Sequence, residues 1–253
     1  MQIFNLNKFN ERLIRLFKLL ISNNYELSHK YQNKNQITNS DVVLNLLANK
    51  NFNPKYIVDV GCGYGQWTIK LLKYFSKSKY FLFDADNNNL NKLQNLKNKY
   101  KNLDFKICLL SNDNSQYDFF KMGYGSSIFE ELTSHKREVE KIYSTTLKQE
   151  LPLKIKNQSN NLIKLDVQGA ELKVLDGLDE FINYFEVIIL EASVHAYNKD
   201  APLFDKVMNY MDSKNYKLYD IFDLKRLGGS NSFLTQFDCV FVRKNSSLLD
   251  VKF

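Results

Sequence analysis

Proline is scarce in this 253-residue chain: three occur, at Pro54, Pro152 and Pro202, and none is adjacent to another. The Asn/Asp-Pro-Pro-aromatic loop of an enzyme that methylates nucleobase amino groups is therefore absent. Cysteine is equally sparse. Cys62, Cys108 and Cys239 form no Cys-x-x-Cys pair, which argues against a disulfide framework and against a zinc site of clustered thiolates. A reducing, cytoplasmic compartment is the expectation. No apolar run approaches the roughly 18–20 residues needed to span a bilayer. The first twenty residues carry scattered charges and no small-residue cleavage site, so they do not read as a secretion signal. Arginine is rare too. Of 35 basic residues five are arginine, and the formal charge of +7 is carried by lysines spread along the chain among acids. Such a pattern reads as a solvated surface rather than a nucleic-acid face, although an RNA or other anionic acceptor is the alternative that charge alone leaves open.

What is present is enough to build a core: 44% hydrophobic and 14% aromatic residues. Residues 9–21 place Phe9, Leu13, Phe17, Leu20 and Ile21 on one helical face. A polar, Asn-rich stretch (22–39) follows, then a short helix over 41–48 capped by Ser40 or Asp41. Residues 1–53 thus read as a helical N-terminal extension and 54–253 as one catalytic-type domain. From Tyr56 onward strands alternate with helices: strands at 56–60, 80–83, 105–110, 162–167 and 185–190, and helices at 66–75, 89–100, 170–178 and 202–213. The pattern predicts a mostly parallel, doubly wound α/β sheet with helices on both faces. Strands at 216–222 and 237–242 lack a helix between them and read as an antiparallel edge hairpin. Residues 112–156, containing Gly123-Tyr124-Gly125-Ser126-Ser127 and a charged run over 130–148 read as helical, are a candidate lid or substrate-binding insertion.

The sharpest local signal is Val58-Asp59-Val60-Gly61-Cys62-Gly63-Tyr64-Gly65, between a strand and a helix. Glycines permit a tight turn and close approach of a ligand. The spacing departs from a dinucleotide fingerprint, because Gly65 comes one position early. Asp59 would repel a pyrophosphate and suits a cationic ligand. S-adenosylmethionine carries an ammonium and a sulfonium and no phosphate, and its carboxylate can take helix N-terminal amides. A second acid, Asp84, ends the next apolar strand, where a carboxylate can accept ribose hydroxyls; Asp86 is its neighbour. Leu110, Ser111 and Asn112 stand where an adenine edge would be read. An NAD-binding α/β protein is the other class to weigh, and Asp59 and Gly65 argue against it.

Residues 163–177, Ile-Lys-Leu-Asp-Val-Gln-Gly-Ala-Glu-Leu-Lys-Val-Leu-Asp-Gly, resemble the hallmark of the FkbM-type methyltransferases. Together with Val58–Gly65, Phe83-Asp84 and the ending Asp238–Arg243, the resemblance spans residues 40–243. It departs at Ala85, where proline is common, and over 145–156. It implies a Rossmann-like seven-stranded methyltransferase sheet, S-adenosylmethionine as cofactor, and transfer to hydroxyls, often of sugars in polysaccharides. It further implies that Asp59, Gly61, Gly63 and Asp84 hold the cofactor, with Asp166 at the floor of the site. A small-molecule or glycan acceptor is the expected partner.

A sugar hydroxyl is a weak nucleophile and gains from a general base. Glu191 ends the apolar strand before it, and His195 follows four residues later. His195 is the preferred base, because its unperturbed pKa lies near 6.5. Asp166 and Glu191 are the other catalytic candidates. They would supply two ligands to a divalent metal, but Ala192 supplies no third, so metal-independent transfer is expected. Glu171, in the first turn of a helix, is either a cap, an ion-pair partner of Lys164, or catalytic. Ser126, Ser127 and Tyr124 can hydrogen-bond a polar acceptor, and Trp67 and Tyr197 can stack on a ring or sit in the core.

Overall fold

The computed structural model describes residues 39–133, 137–226 and 233–250. The expected helix over 9–21, nearly all of the polar stretch after it, and His29 and His135 lie outside the described residues. The first element of the described residues is α1 (Ser40–Asn49), whose cap is Asn39 rather than Ser40 or Asp41. The Asn39 side chain accepts from the amides of Asp41 and Val42 at 2.9 and 3.2 Å. Ser40 is buried inside the first turn instead.

Seven strands form the main sheet: β1 (Tyr56–Val60), β2 (Lys79–Asp84), β3 (Leu103–Ile107), β7 (Asn161–Leu165), β8 (Phe185–Ser193), β9 (Tyr216–Arg226) and β10 (Leu234–Arg243). Their spatial order is β3-β2-β1-β7-β8-β10-β9. The first five are parallel, and β10 runs antiparallel to both neighbours. The expected hairpin exists, but β10 inserts beside β8 and only β9 is left at the edge. β1 and β7 are buried along their whole length, as central parallel strands covered on both faces must be.

Alternate residues of these strands feed two cores. Ile57, Leu162, Val187 and Ile189 face α1, α2 (Gln66–Tyr74) and α3 (Leu90–Lys99), meeting Leu47, Leu71 and Leu93. Val58, Ile163, Leu165 and Ile188 face α5 (Glu171–Asp176) and α6 (Phe204–Ser213), meeting Val174, Val207 and Met211. The period-two split is what a doubly wound sheet requires.

The expected strand over 105–110 is broken at Cys108, where the chain leaves the main sheet. β4 (Leu109–Ser111) instead pairs with β6 (Glu138–Thr146), which also pairs with β5 (Gln116–Lys121). The charged run read as helical is thus largely strand, apart from α4 (Leu147–Glu150) at its end. Its charges pair across strands rather than along a helix face. Lys141 donates to Asp118 at 2.8 Å and Lys121 to Glu140 at 3.0 Å, and the β-branched Val139, Ile142, Thr145 and Thr146 suit an extended backbone.

Candidate functional site

The order of strands reverses at β1, with β2 and β3 on one side and β7 and β8 on the other. A crevice outside the carboxyl ends of the strands at such a point is the usual ligand site of an open α/β sheet. A cavity of about 840 Å³ lies there, within the common range for ligand pockets.

The turn after β1 is built by close backbone contacts. Gly61 has φ +71°, and a Cβ on it would stand 1.9 Å from the carbonyl oxygen of Asp166, so β1 and β7 approach closely only with glycine here. Gly61 donates to the carbonyl of Phe83 at 2.9 Å. Gly63 donates its amide to Asp84 Oδ2 at 2.7 Å. The other oxygen of Asp84 accepts from the Asp86 amide and Asn89 Nδ2. Burial pushes the Asp84 carboxyl up, and these hydrogen bonds oppose it. Gly61, Gly63, Asp84, Asp86 and Asn89 all line the cavity.

Three expected contact residues stand behind that wall. Asp59 is fully buried, is not among the lining residues, and accepts from Thr68 Oγ1 at 2.6 Å. It anchors the first turn of α2 from below rather than facing a ligand's ammonium. Gly65, φ +86°, begins α2, and a Cβ there would meet Leu96 at 2.4 Å; its need for glycine is helix packing. Ser111 is buried, with its hydroxyl 3.0 Å from that of Tyr117. The bend at Cys108 turns Cys108 and Leu109 toward the cavity beside the expected Leu110.

The floor is polar. Asp166 follows β7 and keeps 28% of its side chain exposed. It accepts from Lys164 Nζ at 3.0 Å and from Gln168 Nε2 at 2.9 Å. Burial raises its carboxyl, but the Lys164 and Lys225 ammonium groups outweigh that and hold it below the usual carboxylate range. Glu191, at 3% exposure, is outside the lining and accepts from Gln168 Nε2, Gln236 Nε2 and Lys225. Burial and the nearby Asp166 push it up. Asp238, across from Glu191 in register, is pushed up to about 7 by burial.

Gln168 ties this floor together, although sequence alone gave it no role. Its φ is +53°, unusual for a residue with a side chain. Its carbonyl accepts from Ser127 Oγ at 2.8 Å and Asn198 Nδ2 at 2.6 Å, which fixes the turn while the side chain bridges Asp166 and Glu191. Lys225 was also missed; β9 brings it to the cavity from far along the chain. Glu171 braces the turn before α5 and makes no side-chain cap of that helix. Its Oε1 accepts from the amides of Val167 and Gly169, and it is buried and pushed up to about 8 by burial and Glu191. His195 is exposed and packs edge-on against Phe233, with ring centroids 4.9 Å apart. It does not line the cavity, and neither does Tyr197, whereas Trp67, Ser126 and Ser127 do. Among the described residues no group of three or more His, Cys, Asp or Glu could hold a metal ion, and no helix is long and apolar enough to cross a membrane.

Residues 48–218 match the methyltransferase FkbM domain. The chain belongs to the FkbM methyltransferase family. No curated protein matches it. Solved structures similar to this FkbM-family chain include magnesium protoporphyrin IX methyltransferase from Synechocystis PCC 6803 with bound S-adenosylmethionine (12% identity, 80% of this chain and 77% of that one, TM-score 0.45). Another is an S-adenosylmethionine-dependent methyltransferase from Clostridium acetobutylicum ATCC 824 (11% identity, 88% and 99%, TM-score 0.45). A third is precorrin-6y C5,15-methyltransferase from Geobacter metallireducens GS-15 (12% identity, 83% and 92%, TM-score 0.43).

S-adenosylmethionine is the cofactor of the FkbM family, and the chemistry of this cavity fits it. Asp84 and Asp86 line the wall beside the glycine turn. Two carboxylates there repel a pyrophosphate and suit a phosphate-free cation with ribose hydroxyls to donate. Oδ2 of Asp84 accepts one hydrogen bond, from Gly63, and a carboxylate oxygen has room for a second.

Proposed function

We propose that this FkbM-family chain is an S-adenosylmethionine-dependent O-methyltransferase acting on a hydroxyl of a sugar or polysaccharide precursor in the cytoplasm. The observation that carries this reading is Asp166: a carboxylate lining the cavity, beside the glycine turn, with Lys164 and Gln168 donating to it and fixing its position. Gly61, Gly63 and Asp84 would hold the cofactor, with Asn89 beside them. When bound, S-adenosylmethionine supplies an electrophilic methyl on a sulfonium. The remaining tasks fall to the chain's own residues.

An acceptor hydroxyl becomes strongly acidic as its oxygen takes up carbon, so a carboxylate of low pKa suffices to receive its proton. Asp166 is the group in place to do so. Holding the acceptor oxygen against this carboxylate supplies orientation, which is worth more than the proton transfer itself. Glu191 acts behind Asp166, through Gln168 and Lys225, to fix the floor. His195, preferred on its intrinsic pKa, lies outside the cavity lining and is left without this role. Gly123, Ser126, Ser127 and Glu138 line the cavity on the side of the small sheet, and their polar groups suit an oxygen-rich acceptor. The free thiols of Cys62, Cys108 and Cys239 agree with a reducing compartment.

The test is incubation of the full chain with S-adenosylmethionine and a panel of mono- and oligosaccharides, reading methyl addition by mass spectrometry. Asp166→Asn should lower turnover by about 10²–10⁴-fold, while His195→Ala should stay within a few-fold of the unsubstituted chain. Methyl transfer to RNA or to an amine, with none to sugar hydroxyls, would replace the acceptor assignment.

A further inference from the structure

Lys164 is a lysine at 2% exposure, and an isolated ammonium at such a site is too costly to persist without partners. It sits on β7 opposite Asp59 of β1. Its Nζ donates to Asp166 Oδ2 at 3.0 Å and lies 5.5 Å from the centroid of the Trp67 ring, which shields it from above. Two buried carboxylate oxygens, Asp59 Oδ1 and Asp238 Oδ1, have no hydrogen-bond partner, and the Lys164 ammonium is the largest influence offsetting burial at both acids, ahead of Thr68 at Asp59 and of Lys225 at Asp238. The second cation of the floor, Lys225, is 49% exposed and is bonded to Glu191, so water screens it.

We infer that Lys164 is a positioning residue that keeps Asp166 ionised and fixed for proton uptake, its single desolvated ammonium serving as shared counter-charge to Asp59, Asp166 and Asp238. This rests on the reading of Asp166 given above. The geometry separates the two lysines: Lys164 reaches Asp166 directly, whereas Lys225 reaches it across Glu191 and Gln168. The other charged groups facing the pair are Asp59 from β1, Glu191 from β8, Lys225 from β9, Asp238 from β10 and Glu171 from α5. The four acids among them are pushed up by burial, so they are protonated where Asp166 titrates. Removing Lys164 takes away the ammonium bonded directly to Asp166, so the proton affinity of Asp166 must rise.

The test uses the full chain without added cofactor. The Asp166 carboxyl carbon is followed by NMR titration in the unsubstituted chain, in Lys164→Met and in Lys164→Arg. Lys164→Met should raise the Asp166 midpoint by about one pH unit or more, a tenfold or larger change in proton affinity, and Lys164→Arg should restore most of it. Should Lys164→Met fail to fold, Lys164→Met with Asp238→Asn removes a positive and a negative charge together, and the Asp166 midpoint should rise there as well. An Asp166 midpoint unchanged in the folded variant overturns the inference. With an acceptor in hand, the acid limb of the turnover–pH profile in Lys164→Met should move upward by the same interval, while calorimetric affinity for S-adenosylmethionine changes less than threefold. Absence of methyl transfer in the unsubstituted chain would instead count against the O-methyltransferase reading, and the NMR midpoint would still decide the role of Lys164.

Discussion

At the scale of single residues, Asp59 and Asp84 show how one residue type divides by depth. Both are aspartates in strands flanking the glycine turn, and both read in sequence as cofactor contacts. Asp84 ends its strand and lines the cavity, while Asp59 lies one position short of its strand's end and is sealed beneath Thr68. Asp84→Ala should therefore weaken S-adenosylmethionine binding by about 1–3 kcal/mol, the cost of charge-assisted hydrogen bonds lost on a buried wall, as read by isothermal calorimetry. It also releases the amides of Gly63 and Asp86, so part of the loss will come from a looser turn. Unchanged affinity would remove Asp84 from the ribose role. Acids at strand ends were legible because an apolar run stopping at a carboxylate is a strong pattern. Ser111 and His195 were not. The bend at Cys108 and the exposed loop after β8 are set by tertiary pairing, which spacing along the chain does not encode.

At the scale of elements, the turn from β7 into α5 concentrates the site. Gln168 adopts a left-handed backbone whose carbonyl accepts from Ser127 and Asn198, and Glu171 closes the same turn by accepting two amides. The motif was visible in sequence, yet the roles inside it were not, because Gln168 acts through a backbone conformation and Glu171 through burial. Burial gives Glu171 a testable signature. Its carboxyl is pushed from an ordinary 4.5 to about 8 in the folded chain. The folded state therefore binds more protons than the unfolded state between these values, and stability falls as pH rises through that window. Glu171→Gln keeps the accepting oxygen and removes the titration. Urea midpoints near about pH 5.5 and 8.5 should differ less in the variant than in the unsubstituted chain. Asp238 titrates in the same range and adds its own slope to both proteins, so the difference between them isolates Glu171. Equal slopes would show that Glu171 is ionised in the folded chain. The strand β6 illustrates the opposite failure of sequence reading. Alternating charges over 130–148 resemble a solvated helix face until a partner strand supplies the opposite charges.

At the scale of the whole molecule, the alternation of strands and helices was enough to predict a doubly wound sheet with helices on both faces, because hydrophobic periodicity carries that information locally. The insertion of β10 beside β8 was not predicted, since an antiparallel return between parallel neighbours is decided by which edge the last strand finds. That insertion matters for function. It brings Asp238 and Gln236 against Glu191, and β9 carries Lys225 to the cavity, so the C-terminal hairpin completes a floor begun by β7 and β8. The walls come from β1 and β2. A ligand seated there touches elements from Val60 to Lys225, and binding must stabilise them jointly. At about one hundred times its dissociation constant such a ligand adds about 2.7 kcal/mol, which for a chain of this size raises the melting temperature by roughly 5–10 °C. S-adenosylmethionine and S-adenosylhomocysteine should both produce this shift in a thermal melt. NADH, whose pyrophosphate faces Asp84 and Asp86, should produce none. Raising the salt from about 0.05 to 0.5 M should change the S-adenosylhomocysteine shift little, because Asp84 and the glycine turn act from buried positions that counter-ions screen weakly. A melt that responds to NADH and not to S-adenosylhomocysteine would assign the crevice to a dinucleotide, and the roles given to Asp84 and Asp166 would fall with it.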